Sequence, residues 1–317
     1  MISHGLLICS FYLKKKYSKH ENQIYELNQE YDYDGIKYRN VFSLLDQFIE
    51  NFNELSDDEK MMKMFCVDKN SVMLENKKDY AIESGTIHSG AYGTESEITN
   101  KNTRQVMYLR GKEDADIKQF NYMIFVPSDD KDKKITKGIM LFETIGTFGV
   151  KTITTKNMRA FFSEKYGLTL ETRSISVRIF LEKLLKDDNL SRLTLIKNKV
   201  SKDSVDNIFI NVGREEKTFI RPKLKDSWIK LLMEHIDGTA PDDIFEINNE
   251  IYEDIKFTFS HAGRTKTVCL NEIDRFSMVE VIPADIYNGN SIDRNKLLKY
   301  MEETAKEYSS KMVFTKK

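Results

Sequence analysis

Two short runs rich in aromatic and branched residues, Phe120 to Val126 (FNYMIFV) and Ile135 to Ile145 (ITKGIMLFETI), lie either side of a charged stretch, Pro127 to Lys134. Runs of this length and composition read as core strands, and a charged loop between them makes a hairpin. Residues 128–136 are alternatively a boundary between two lobes. Either way a sheet is the centre of the fold. Only four prolines and fourteen glycines interrupt 317 residues, so most of the chain is regular structure joined by polar loops.

Helical periodicity surrounds that pair. Val41, Leu44, Leu45, Phe48, Ile49 and Phe52 recur at helix spacing within 40–52. Thr155 reads as an N-cap before Met158, Phe161 and Phe162, with Gly167 as the stop. A further helix is expected from Ser174 or Ser176 with Val177, Phe180, Leu181, Leu184 and Leu185 on one face. Asp226 caps another, carrying Ile229, Leu232, Met233 and Ile236, and the last runs from near Ser291 past Tyr308 toward Met312. Strands are expected at 5–13, 193–196 and 208–212, and a hairpin at Ile251–Ser260 and Arg264–Leu270. Between Lys69 and Arg104 the signal is weak, and Gly85, Gly90 and Gly93 suggest strands broken by turns.

The fold expected is therefore α+β: mixed, mainly antiparallel sheets with flanking helices, over residues 1–317 as one large domain or two closely packed lobes. The opening apolar stretch is followed, not preceded, by Lys14, Lys15 and Lys16 and is too short to cross a bilayer, so no membrane segment is expected. Cys9, Cys66 and Cys269 are far apart and match no metal spacing, which points to buried thiols in a reducing cytoplasm. Abundant Lys, Asn and Ile with scarce Ala is the bias of an AT-rich genome, here read as a bacterium or its phage.

Three features bear on function. The first is Glu143-Thr-Ile-Gly146-Thr-Phe-Gly149-Val-Lys151-Thr152, between a strand and a helix. Its glycines and the helix N-terminus, with Lys151, Thr152, Lys156 and Arg159, suit an anion such as a nucleic-acid phosphate. It is no Walker loop, since Val150 precedes Lys151 and two residues separate the glycines. The second feature is charge: residues 151–230 carry 18 Lys or Arg against 10 Asp or Glu in a chain of net charge −1. Aromatics interleave with these cations, as in single-strand binding surfaces, although most fall on helix core faces.

The third is Pro241-Asp242 followed by Asp254-Ile255-Lys256, which fits the carboxylate and lysine spacing of Mg²⁺-dependent nucleases. The spacing is weakly specific, because Asp116-Ile117-Lys118 and Glu215-Glu216-Lys217 satisfy its second half elsewhere. Five scattered histidines form no paired motif. The expectation is a cytoplasmic component of a multi-protein system, such as antiviral defence, that binds nucleic acid or a protein partner through its basic middle. Alternatives are a Mg²⁺ nuclease using Asp242, Asp254 and Lys256, and a purely structural protein docking through the helices at 40–52 and 294–312. No other cofactor is implied.

Overall fold

The computed structural model describes residues 4–16, 24–129, 134–174, 185, 190–197, 214–236, 245–247, 250–252, 254–261, 264–270, 279–289 and 291–310. The chain divides into two compact units, one of Met1–Arg173 with Val279–Lys317 and one of Ser174–Met278.

The first unit is built on β1 (His4–Lys15), β2 (Lys63–Asn76), β3 (Tyr80–Ala91), β4 (Ser96–Thr99), β5 (Val106–Arg110), β6 (Lys118–Pro127), β7 (Gly138–Ile145) and β8 (Leu168–Ser174). Its helices are α1 (Val41–Asn51), α2 (Lys151–Tyr166) and α4 (Arg294–Ser310). The main sheet runs β8–β1–β7–β6–β3–β2, and every pair from β1 to β2 is antiparallel. Strands Ser56–Asp58, Phe148–Gly149 and Val279–Val281 extend it on β2, β7 and β1. Hairpin β4–β5 stands apart as its own two-stranded sheet.

The two apolar runs do form an antiparallel pair, with Ile139 opposite Phe125 and Phe142 opposite Tyr122. Residues 128–136 therefore connect β6 to β7 inside the first unit. Both strands are buried on both faces because helices cover each side, which explains runs without alternation. On one face Phe48 of α1 packs against Phe65 of β2 and Phe161 of α2. On the other, α4 lies over β6 and β7, and Tyr80 stacks on Phe125.

Asn40 caps α1 as its side-chain oxygen accepts from the backbone N–H of Phe42 and Ser43. Helix α2 begins four residues before the expected cap. Thr155 is inside it, and the Thr154 and Thr155 hydroxyls donate backward to the carbonyls of Val150 and Thr152. Gly167 does end α2, in the left-handed conformation. The last helix starts at Arg294 rather than Ser291, because Ser291–Ile292 pairs with Tyr287–Asn288 and Asp293 caps the helix by accepting from Lys296 N–H.

The weakly patterned stretch 69–104 holds much of β2, the longest strand among the described residues, and all of β3. Gly85 and Gly90 are strand residues, not turns, and their missing side chains make room. A Cβ at Gly85 would lie 2.8 Å from the Tyr122 ring, and at Gly90 2.2 Å from the Asp116 carbonyl oxygen. Gly93, at φ +94°, is the turn residue.

The second unit carries β9 (Leu190–Lys197), β10 (Glu215–Ile220), α3 (Asp226–Ile236), β11 (Asp254–His261) and β12 (Arg264–Cys269). Its sheet is antiparallel in the order β10–β9–β11–β12. Leu193, Leu195, Ile255, Phe257 and Phe259 share a buried core with Ile229, Leu232 and Met233 of α3. The expected hairpin is present, but Ile251 belongs to a separate short strand, Glu250–Tyr252, that pairs with Phe245–Ile247. The helix expected from Ser174 and the strand at 208–212 lie outside the described residues, except that Ser174 closes β8 and Leu185 is buried in the second core. The protein is thus mixed α and β but strand-rich, with four α-helices among the described residues. No described helix is long and apolar enough to cross a membrane.

Candidate functional site

Strand β7 leaves the sheet at Ile145 and reverses at once. Gly146, at φ +59°, allows the tight turn, and Phe148–Gly149 then pairs back on Ile145 and Thr144 before α2 begins. The reversal puts Phe148 outside the core, with 52% of its surface exposed. The Lys118 ammonium sits 4.6 Å from the centre of its ring.

The residues expected to bind an anion beside this turn are divided by their partners. Lys156 is ion-paired to Asp58, and that hydrogen bond is the main cause holding the Asp58 carboxyl below its usual range. Arg159 donates from Nε to the Leu170 carbonyl at 3.0 Å, which ties α2 to β8. Lys151 faces buried Cys9, where its charge opposes the desolvation that pushes the thiol up to about 11. Thr152 is exposed in the first helical turn. Lys156 and Arg159 are structural ties, and among the expected residues Gly149 lines a cleft.

That cleft, of about 380 Å³, lies at the end of the main sheet. Phe148 and Gly149 line it together with Lys63, Ser89, Gly90, Ala91, Thr94, Arg110, Asp116, Lys118 and Phe120. Strand register explains the gathering. Lys63 of β2 is opposite Ala91, and Ser89 of β3 is opposite Lys118 of β6, so Lys63, Ser89 and Lys118 share a face beyond the packed helices. Arg110 reaches in from β5, with Nε donating to the Asp114 carbonyl at 2.8 Å and Nη2 to the Ala91 carbonyl. Lys118 is ion-paired to Asp116, whereas the Lys63 side chain has no hydrogen-bond or ion-pair partner among the described residues. Three cations thus face one carboxylate around an exposed aromatic ring.

Sequence reasoning reached the turn but missed Lys63, Arg110 and Lys118. Asp116-Ile117-Lys118 stood out only as a recurrence of a nuclease spacing, and Lys63 and Arg110 have no local signature.

A second polar cluster occupies the opposite face of the sheet. Glu143, 2% exposed, accepts from His4 Nδ1 at 2.6 Å, from Asn121 N at 3.0 Å and from Asn121 Nδ2 at 2.7 Å. Arg294 of α4 donates to the Asn121 side chain at 3.3 Å and to the Ser71 carbonyl at 3.1 Å. The Tyr287 hydroxyl accepts from His4 N–H at 3.1 Å. All of the Glu143 bonds fix β1, β6 and β7 to one another, so a buried carboxylate here is satisfied by the strands it joins.

In the second unit Asp254 and Lys256, two residues apart on β11, share the face opposite the core. Lys256 is ion-paired at 2.9 Å with Glu216 of β10, and this bond is the leading cause that lowers the Glu216 carboxyl. Asp242 lies outside the described residues. No group of three or more His, Cys, Asp or Glu among the described residues is arranged to hold a metal ion. The basic middle is also divided. Residues 151–173 belong to the first unit and 174–230 to the second, and Lys165, Lys197, Arg214 and Lys230 contact Gln47, Glu215, Glu216 and Glu234. Arg192 and Lys225 remain without side-chain partners among the described residues. No protein-family model, curated protein or solved structure matches the chain.

Proposed function

We propose that the protein binds single-stranded nucleic acid, with the cleft beneath the Gly146–Gly149 turn as its contact. The observation that carries this reading is the joining of exposed Phe148 to Lys63, Arg110 and Lys118 in one cleft. Base stacking on an aromatic ring beside cations that meet phosphates is the physics of sequence-tolerant single-strand binding. The volume of about 380 Å³ is within the range of small-ligand sites and takes one nucleotide unit at a time. Arg110 is fixed by backbone carbonyls and Lys118 by Asp116, so two of the cations are held before any ligand arrives. Lys63, whose side chain has no partner among the described residues, is the cation with most to gain from a phosphate.

Under this reading the protein is a binding component, and a role beside other proteins in a bacterial or phage system such as antiviral defence belongs to the same proposal. The test is a mobility-shift or filter-binding titration of a labelled oligonucleotide over a salt series. Affinity should fall steeply with salt, and Lys63→Ala should reduce the salt slope by about one. Phe148→Ala should weaken binding by about 1–3 kcal/mol, the worth of one stacked base. Salt-independent affinity, or binding untouched by both substitutions, would overturn it.

A further inference from the structure

Hairpin β4–β5 starts at the cleft, which is lined both by Arg110 of β5 and by Thr94, just ahead of β4. Ile98, Met107, Tyr108 and Leu109 on it are each half exposed or more, and a run of uncovered apolar side chains marks an interaction surface. The two faces of the hairpin are distinct. Ser96 stands opposite Arg110, Glu97 opposite Leu109 and Ile98 opposite Tyr108. One face therefore presents Ile98, Tyr108 and Arg110, and the other Glu97 and Leu109. The register shift beyond Ile98 leaves Met107 as the extra residue on β5, outside this alternation.

One residue orders the face that carries Arg110. The Asp114 carboxylate accepts from the Tyr108 hydroxyl at 2.6 Å and from Gly111 N–H at 2.7 Å, while its carbonyl accepts from Arg110 Nε at 2.8 Å. A half-exposed ring and a guanidinium are thereby held about 7 Å apart along the strand. Arg110 has more N–H donors than its bonds to Asp114 and Ala91 use, so some are left for a phosphate. Past Tyr108, the turn at 100–105 carries Lys101 and Arg104, whose side chains have no hydrogen-bond or ion-pair partner among the described residues. The opposite face differs in charge. There Glu97 accompanies Leu109, and Glu95 and Glu97 line the hollow beside it, which disfavours an anion.

We infer that a single strand held in the cleft continues along the Ile98–Tyr108–Arg110 face of the hairpin, with Tyr108 as a second stacking platform and Lys101 and Arg104 meeting phosphates beyond it. This rests on the nucleic-acid reading of the cleft and extends it from one nucleotide to a track. Arg110 joins the two surfaces, since it lines the cleft with Phe148 and shares the hairpin face with Tyr108. Aromatic faces interleaved with cations are what a sequence-tolerant strand requires, and Phe148, Arg110, Tyr108 and the tip cations supply them in that order. Ile98, directly opposite Tyr108, adds apolar contact for a stacked base. The bonds to Asp114 fix the ring and the guanidinium before a strand arrives, which lowers the ordering cost of binding.

Fluorescence-anisotropy titrations of the full chain separate the track from the cleft, using a thymidine dinucleotide and an oligothymidylate of about twelve nucleotides, a length within the range of single-strand sites. Tyr108→Ala should weaken the longer strand about tenfold, the worth of one stacked base, and leave the dinucleotide unchanged. Tyr108→Phe keeps the ring and should stay within about threefold of the wild type, and Leu109→Ala on the opposite face should have no effect. Replacing Lys101 and Arg104 together by Ala should lower the salt slope for the longer strand by about 1–2. Circular dichroism checks that these variants, all at exposed positions, are folded. The track is overturned if both lengths bind equally, if Tyr108→Ala leaves the longer strand unchanged, if Tyr108→Phe loses as much as Tyr108→Ala, or if Leu109→Ala does. In each of these results the cleft still stands when Phe148→Ala weakens the dinucleotide. If neither length binds, or Phe148→Ala leaves the dinucleotide unchanged, the cleft reading fails and the track falls with it.

Discussion

Glu83→Gln should make the first unit more stable, and more so as pH rises. Glu83 lies on β3, 1% exposed, where its Oε1 accepts from the Tyr122 hydroxyl at 3.2 Å and its Oε2 has no hydrogen-bond partner among the described residues. Burial is the largest influence on the carboxyl, the Asp46 charge on α1 adds to it, and the Tyr122 hydrogen bond opposes both; the result is a group pushed up to about 8. An unfolded Glu titrates near 4.5. The folded state therefore holds a proton that the unfolded state gives up, and stability falls as pH rises between about 4.5 and 8. Each pH unit in that window costs about 1.4 kcal/mol, which accumulates to roughly 3 kcal/mol by pH 7 and about 5 kcal/mol above pH 8.

Glutamine keeps the acceptor for Tyr122, has nearly the same shape and never ionises. The variant should match the wild type to within about 1 kcal/mol at pH 5 and exceed it by about 3 kcal/mol at pH 7. Urea titrations at pH 5, 7 and 9, read by hydrogen exchange of the peptide spanning 80–91, measure this directly. Fluorescence of Trp228, the one tryptophan in the chain, packed in the second unit, serves as the control and should not change. The reasoning fails if the wild type shows no loss of protection between pH 5 and 8, or if the variant keeps the same slope. A variant less stable than the wild type at pH 8 would show that an ionised Glu83 is satisfied by a partner.

Gly90→Ala should destabilise the first unit by more than about 2 kcal/mol, since the added Cβ meets the Asp116 backbone at 2.2 Å and cannot be relieved by a rotamer; thermal melts would show the loss. Asn40→Ala removes the side-chain cap of α1 and should cost about 1 kcal/mol in urea titrations, whereas Asn40→Asp should be nearly neutral. Glu302 of α4 is held down to about 2, because hydrogen bonds from Lys306, Lys77 and Tyr80 outweigh its burial. Its stabilising share is present above about 4.5 and is lost as pH falls toward 2, so Glu302→Gln should lower the melting temperature at pH 7 and leave it nearly unchanged at pH 2.

The elements legible in the sequence are those whose pattern and burial agree. Residues 120–126 and 138–145 read as strands because helices cover both faces and no polar alternation is needed. Helix α1 shows its stripe because only one face is buried, and Asn40 marks its start. Gly85 and Gly90 misled for a physical reason. A glycine that frees the backbone and one that makes room for Tyr122 or for the Asp116 carbonyl are the same letter, and only the partner strand tells them apart. Thr155 misled similarly, since a threonine hydroxyl bonds backward inside a helix as readily as it caps one.

The candidate site was harder to read because it is assembled by register. Lys63, Arg110, Lys118 and Phe148 come from four segments, and their meeting depends on Lys63 lying opposite Ala91 and Ser89 opposite Lys118. A one-residue slip of β6 on β3 would turn Lys118 to the other face. The regional excess of cations in 151–230 did not locate the site, for Lys63, Arg110, Asp116, Lys118 and Phe148 all precede Lys151. What the excess does instead is divided: Lys156 and Arg159 secure α2, and Arg214 and Lys197 pair with Glu216 and Glu215 in the second unit. Summed charge along a chain measures how many cations there are, whereas binding depends on which are left unpaired beside one another, and Lys63 meets that condition in the cleft.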